Sequence, residues 1–337
     1  MRVLLCSYSF PPTVGGIETV SVILAREFTR AGVEVQVATE TQGETPDEGY
    51  PVFRRPTRST LARLARSSDV IFQNNISLNL LLPTLWARKP VVVTHQTWLT
   101  RMDGRLGWQD LLKRLVLRSC SNVSISRAIA QDLPVKSIVI NNPYEAAEFA
   151  SYRTTPKSKD IVFMGRLVSD KGCDQVLYAL AELRKGGLTP SLTVIGDGEE
   201  SSSLHRLTTE LGLSGQVEFL GALREGRGRE VARHKIMVVP SKWREPFGIV
   251  ALEGIAAGCA VVASELGGLP EAVGKCGVFY SNGDQHQLAS LLGQLLTEPA
   301  RLEQLVQAGP AHLEGFDGRR IASAYLALFE SLAVANR

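Results

Sequence analysis

Two carboxylates, Glu245 and Glu253, stand eight residues apart around a Pro-Phe-Gly in the stretch PSKWREPFGIVALEGIAAG. Pro246 and Gly248 mark a turn, and residues 249–257 read as the helix that follows. Glu245 then lies on the loop before the helix and Glu253 in its second turn, roughly 10 Å apart along the chain direction. That separation suits gripping opposite ends of an extended polar ligand better than acting on one bond. The plainer alternative is a helix-dipole Glu at the N-terminus and a solvated Glu beyond it. Arg166 and Lys171 share the Gly-bounded loop MGRLVSDKG. An Arg fork and a Lys point charge on one loop have the chemistry to neutralise a diphosphate.

Other loops offer weaker signals of the same kind. Gly15 and Gly16 in PPTVGGIETV precede a helix whose free N–H groups suit an anion; a tight turn is the alternative. Gly196 begins a Gly-Asp-Gly that opens the next helical stretch. Phe247, Gly248, Ile249 and Val250 present amides at another helix start. His95 ends the apolar run VVVTHQ at a strand's carboxyl edge, and a packed, hydrogen-bonded histidine is its competing explanation. No Gly-x-Gly-x-x-Gly, P-loop, Gly-x-Ser-x-Gly, Asp-x-Asp or Cys/His cluster occurs, so no metal site is expected.

These residues need elements to hold them. The first half alternates Val/Ile-rich runs (RVLLCSY, VEVQVAT, DVIFQ, PVVVTH, SNVSIS, SIVIN) with helical stretches at 17–30, 77–87 and 107–118. The polar segment YRTTPKSKD reads as a linker. The pattern then restarts with DIVFMG, SLTVIG, QVEFLG, IMVVPS, CAVVAS and GVFYS. Such alternation builds parallel α/β sheets whose ligands bind beyond the carboxyl ends of the strands. Domains are expected at 1–150 and 151–318, for acceptor and nucleotide-sugar respectively, with a last helix within 319–337 free to close on either and expected to pack back toward the first. At 337 residues, 44% hydrophobic and 21% charged, the chain has the composition of a globular protein.

No apolar run approaches the roughly 20 residues of a membrane span, and the N-terminal run is too short for a signal-peptide core. Five scattered cysteines without Cys-x-x-Cys spacing fit a reduced, cytoplasmic compartment. Net charge is +3, yet residues 54–118 hold twelve basic and three acidic residues. This points to an anionic surface or ligand, or else to solvated helix faces. Within 98–118, Leu111, Leu112, Leu115 and Val116 fall on one helix face, with Lys113, Arg114 and Arg118 elsewhere. Trp98, Leu99, Leu106 and Trp108 crowd the preceding loop. Apolar and basic residues so mixed suit docking on an anionic bilayer; an amphipathic core helix is the alternative.

Over nearly its full length the chain resembles the family 4 retaining glycosyltransferases of the GT-B fold. The resemblance rests on GRLVSDKGCDQVL, VIGDGEE, VEFLG, VVPSKWREPFGIVALEGIAAGCAVVAS and GGLPE, in the family's order and spacing, with GGIE and VVVTHQ upstream. It implies an α/β architecture of two Rossmann-like, doubly wound domains facing each other across a cleft. It also implies a metal-independent transferase moving a sugar from a nucleoside-diphosphate sugar to a glycan, lipid-linked or small-molecule acceptor. By the same resemblance Glu253 would take the ribose hydroxyls. Glu245 would take the transferred sugar beside the amides of Phe247 to Val250, and Arg166 and Lys171 the diphosphate, aided by the Gly16 amide. His95 would hydrogen-bond the sugar. No cofactor beyond the sugar nucleotide and no nucleic-acid partner is expected. NNPYE departs from the Asn-Gly-Val-Asp common in the family. A sugar-nucleotide epimerase of similar fold and a non-catalytic nucleotide-sugar-binding partner are the competing readings.

Overall fold

The computed structural model describes residues 1–44, 49–100 and 107–335. The chain divides into two compact units, Met1–Tyr144 with Phe316–Arg337, and Glu145–Gly315.

In the first unit seven parallel strands form one sheet in the order β3-β2-β1-β4-β5-β6-β7. Their ranges are β1 Arg2–Ser7, β2 Glu34–Thr39, β3 Val52–Arg54, β4 Val70–Asn74, β5 Val91–His95, β6 Ser121–Ser124 and β7 Ile138–Val139. The short β3 carries too little pattern to be read from sequence. Right-handed crossovers assign the helices to faces. The chain runs one way from β1 to β2 and the other way from β3 through β7. The helix Gly16–Arg30 therefore covers one face, and the helix Arg58–Ser67, the turn Leu82–Ala87 and the helix Trp108–Leu117 cover the other. One apolar cluster confirms the second layer, joining Leu61 and Leu64, Leu85, and Leu112 and Val116 to strand residues such as Ile71 and Val93.

The last helix, Gly318–Ala335, completes the first face. Its Tyr325 and Phe329 meet Phe28 and Phe72, with ring centroids 5.0 to 6.4 Å apart, and the Tyr325 hydroxyl lies 3.0 Å from Thr94 Oγ1. Four buried aromatic rings in edge-on or tilted contact bind that helix to the first unit's core.

The second unit repeats the plan with six parallel strands ordered β10-β9-β8-β11-β12-β13. These are β8 Lys159–Met164, β9 Leu192–Ile195, β10 Val217–Gly221, β11 His234–Val239, β12 Ala260–Ser264 and β13 Gly277–Tyr280. All six second-half strands expected from the sequence are present. The order reverses between β8 and β11, which opens a crevice at their carboxyl ends.

Three sequence expectations change. The helix expected over 77–87 is a short α-turn, Leu78–Leu81, followed by a 3-10 turn, Leu82–Ala87, because Pro83 supplies no N–H for an α-helical bond. Gly196 does not open a helix directly; the helix begins at Ser201, and Gly196 to Glu200 form a loop. The supposed linker is bonded into the second unit. Arg153 donates to Ile255 O and Val306 O at 2.7 and 2.6 Å, and Lys157 donates to Ala232 O and Ala257 O. Ala232 and Ala257 cap the helices Arg227–Val231 and Ile249–Ala256, so a cation serves carbonyls that those helices leave unpaired.

Candidate functional site

The crevice of the second unit is walled by the loop after β8 and the loop after β11. Three contacts join them. Lys242 N donates to Asp170 O at 2.8 Å, and Gln175 Nε2 donates to Pro240 O at 2.7 Å. Gly172, at φ +70°, comes so near Pro240 that a Cβ would lie 2.1 Å from its carbonyl oxygen. Only glycine accepts both that backbone and that closeness.

Lys171 and Glu245, one on each loop, form an ion pair. Glu245 is 7% exposed, and its Oε1 accepts from both Lys171 Nζ and Ser241 Oγ, the latter at 2.8 Å. Its carbonyl oxygen accepts from Gly268 N at 2.7 Å, and a Cβ on Gly267 would lie 2.1 Å from that same oxygen. Ser264 Oγ in turn holds Ser241 O at 2.8 Å. The structure therefore joins the two residues that the sequence reading gave separate tasks. Glu245 neutralises Lys171, and Arg166 stands exposed, with no ion-pair partner among the described residues.

Glu253 lies inside the helix Ile249–Ala256 and is 6% exposed, so the solvated alternative fails for it. Burial raises its pKa to about 7; the charge of Arg227 pulls it down, and Glu148 and Glu145 push it up. Arg227 forks onto Glu148, with Nε 3.0 Å from Oε1, and stacks 5.5 Å over the Phe149 ring. Phe247 is buried, and Gly248, at φ +107°, turns the chain into the helix, with Ile249 and Val250 half-buried at its start. Gly196 lies beside the same crevice: a Cβ there would fall 1.8 Å from Gly165 O.

The remaining candidates belong to the first unit. Gly15 caps the helix Gly16–Arg30, and the Glu18 carboxylate lies over it, where a Cβ would meet Glu18 Oε2 at 2.6 Å. His95 ends β5 and is 1% exposed, its Nε2 3.0 Å from Asn122 Oδ1; burial lowers its pKa, so the ring is neutral. Beside it, Gln96 Nε2 donates to Asn74 Oδ1 at 2.8 Å and to Asn142 Oδ1 at 3.0 Å. Asn74 Nδ2 reaches Ser21 Oγ at 2.6 Å. This buried amide network fixes the carboxyl edge of the first sheet.

Sequence reasoning missed Ser241, Arg227, Glu148, Asn122 and the Gln96–Asn74–Asn142 network. NNPYE was the available signal, since it supplies both Asn142 and Glu145.

The helix Trp108–Leu117 splits the apolar face expected for it. Val116 is buried and Leu112 half-buried in the core, whereas Trp108, Leu111 and Leu115, at spacings of three and four, are exposed. Leu99 is buried rather than part of a surface patch. Leu106 lies outside the described residues. Trp86, on the neighbouring 3-10 turn, is 83% exposed. No helix among the described residues is long and apolar enough to cross a membrane.

Comparison with known proteins gives the family. Residues 145–312 match the model "Glycosyl transferases group 1", and residues 14–136 match "Glycosyltransferase Family 4". The chain is 34% identical to the glycogen synthase of Mycobacterium tuberculosis, over 96% of this chain and 93% of that one. It is 33% identical to the D-inositol 3-phosphate glycosyltransferase of Rhodococcus erythropolis, over 55% of this chain but only 44% of the relative. The chain thus spans less than half the length of that relative. Among solved structures, Anabaena HepE in complex with UDP superposes with a TM-score of 0.84 at 21% identity, covering 98% of this chain and 100% of that one. The sucrose-phosphate synthase of Thermosynechococcus elongatus gives 0.80 at 20% identity, over 99% of each chain. Two doubly wound parallel sheets, both family models and a full-length relative agree: the chain belongs to glycosyltransferase family 4, with the GT-B class of fold.

Proposed function

We propose that this protein transfers a sugar from a nucleoside-diphosphate sugar to a hydroxyl acceptor, with retention of anomeric configuration and without a divalent metal. The observation that carries this reading is the second unit's crevice, where Arg166, the Lys171–Glu245 pair and buried Glu253 surround a topological switch point. Breaking the anomeric C–O bond leaves negative charge on the departing diphosphate. Arg166, Lys171 and the amides at the start of the helix Ile249–Ala256 supply fixed positive charge for it. The acceptor oxygen bonds to the anomeric carbon, and its proton passes to a diphosphate oxygen. Glu253 takes ribose hydroxyls, and Glu245 takes hydroxyls of the transferred sugar.

Two similar proteins support a sugar-nucleotide donor. HepE was solved with UDP-glucose, and a Mycolicibacterium smegmatis relative, 29% identical over 91% of this chain, is a GDP-mannose-dependent mannosyltransferase. A thermal-shift screen with UDP-, GDP- and ADP-sugars tests the donor, because a ligand bound only by the native state raises its apparent stability. One donor should raise the melting temperature in EDTA and release free nucleoside diphosphate on turnover. Accumulation of an epimer instead would favour the epimerase reading.

The acceptor is amphiphilic or lipid-linked, and the protein meets it on an anionic membrane surface. The support is the first unit's outer layer, where exposed Trp86, Trp108, Leu111 and Leu115 share one face with exposed Arg63, Arg66 and Arg118. Aromatic and aliphatic side chains enter the headgroup boundary while the arginines meet lipid phosphates. Co-sedimentation with phosphatidylserine-rich vesicles at low salt tests this: binding should fall with added salt, and no binding at all would contradict it.

A further inference from the structure

We infer that Asn122 is a positioning residue that fixes the proton of His95 on Nε2 and leaves Nδ1 as a hydrogen-bond acceptor for a substrate hydroxyl. The inference rests on the transferase reading and on the sugar hydrogen bond that the family resemblance implies for His95, and deepens it by assigning the atom and the polarity of that contact.

The argument begins with the amide. Strands β5 and β6 run in parallel register, with Val93 opposite Asn122 and His95 opposite Ser124, so the His95 ring lies within reach of the Asn122 side chain. Asn122 Nδ2 lies 2.9 Å from Leu117 O and 3.0 Å from Cys120 O. Both are carbonyl oxygens, which only accept, so the NH2 end of the amide must face them. The orientation of the side chain follows from its partners, and Oδ1 is left facing His95 Nε2 at 3.0 Å. An amide oxygen also only accepts. His95 Nε2 must therefore carry the proton.

The ring is neutral, since burial disfavours imidazolium. A neutral imidazole has one N–H and one lone pair, so with Nε2 protonated the lone pair sits on Nδ1. Nδ1 has no hydrogen-bond partner among the described residues. His95 thus meets a ligand only as an acceptor: it receives a hydroxyl proton in a hydrogen bond and cannot donate one to a sugar oxygen. Leu117 ends the helix Trp108–Leu117, and its carbonyl accepts from both Asn122 Nδ2 and Cys120 N, so the side chain that sets the tautomer is anchored at that helix end.

The test is long-range proton–nitrogen NMR on protein labelled with 15N-histidine. The chain has five histidines, and His95→Gln assigns the His95 signals by their loss. Near neutral pH, His95 should show the pattern of a neutral ring protonated at Nε2. A ring protonated at Nδ1, or an imidazolium, overturns the inference in the wild-type protein, whatever becomes of any variant.

Asn122→Ala should lose the single-tautomer pattern. With the donor found by thermal shift, it should lower kcat about tenfold, the worth of one well-placed hydrogen bond. The dissociation constant of the sugar-free nucleoside diphosphate should stay within about twofold, because the contact is to the sugar. Unchanged turnover, or equal losses in nucleotide binding and turnover, contradicts the assignment. Failure of UDP, GDP and ADP alike to bind wild-type protein would instead remove the transferase reading, and the tautomer measurement would remain a separate result.

Discussion

Glu253 is a carboxyl whose folded-state pKa, about 7, lies well above its ordinary 4.5. The folded protein holds that proton more tightly than the unfolded chain does. Stability from this group is therefore present at low pH and is lost as pH rises from about 4.5 through 7, by roughly 3 kcal/mol at most. Glu253→Gln should remove that dependence: thermal unfolding should show the variant gaining on wild type at pH 8 and not at pH 5. On the proposed function, ribose hydroxyls donate to the ionised form, so nucleotide affinity should rise between pH 6 and 8 in wild type and be weak and flat in the variant, as titration calorimetry would read. Gly196→Ala makes a second residue-scale prediction. Its methyl would overlap Gly165 O at a φ of +150°, so denaturant unfolding should show a loss of about 2 kcal/mol or more. Both glutamates and the Arg166/Lys171 loop were legible because their spacing spans a single turn and helix. Ser241, Asn122 and the Arg227–Glu148 fork were not. Ser241 gives no sign of holding Glu245 until Ser264, at the end of β12, and Gly268, on the turn beyond it, come close, and Arg227 meets Glu148 from 79 residues away.

Elements were legible where an apolar period ran uninterrupted, as in β8, β11 and β12. They were obscured where tertiary bonds override local composition. The segment YRTTPKSKD has a linker's residues, yet Arg153 and Lys157 find helix-end carbonyls that only the folded unit brings near. The helix Trp108–Leu117 shows the same limit. Its pattern announces amphipathicity but not which leucines face the sheet, and the structure gives that part to Leu112 and Val116. Replacing Trp108, Leu111 and Leu115 by serine should abolish vesicle co-sedimentation while shifting the melting temperature by only a degree or two, since surface changes cost little. The C-terminal helix makes the opposite prediction. Phe329 is fully buried against Phe28 and Phe72, so Phe329→Ala should cost about 3–5 kcal/mol in denaturant unfolding.

For the whole molecule, the restart of the strand–helix pattern after NNPYE was enough to foresee two doubly wound sheets. The periodicity of the last helix did not by itself say which unit it joins; it belongs to the unit that begins at Met1. A fold shared with proteins of many substrates does not choose a donor. The proposed function makes one claim central: the second unit binds a nucleoside diphosphate through Arg166, Lys171 and Glu253, with protein cations in place of a metal. Titration calorimetry of UDP, GDP and ADP in EDTA, into wild type and into Arg166→Ala and Glu253→Gln, tests it most directly. The account predicts that one nucleotide binds wild type and that each substitution weakens it at least about tenfold, the scale of a lost charge-assisted hydrogen bond. Binding that requires added magnesium, or that survives both substitutions unchanged, would contradict it.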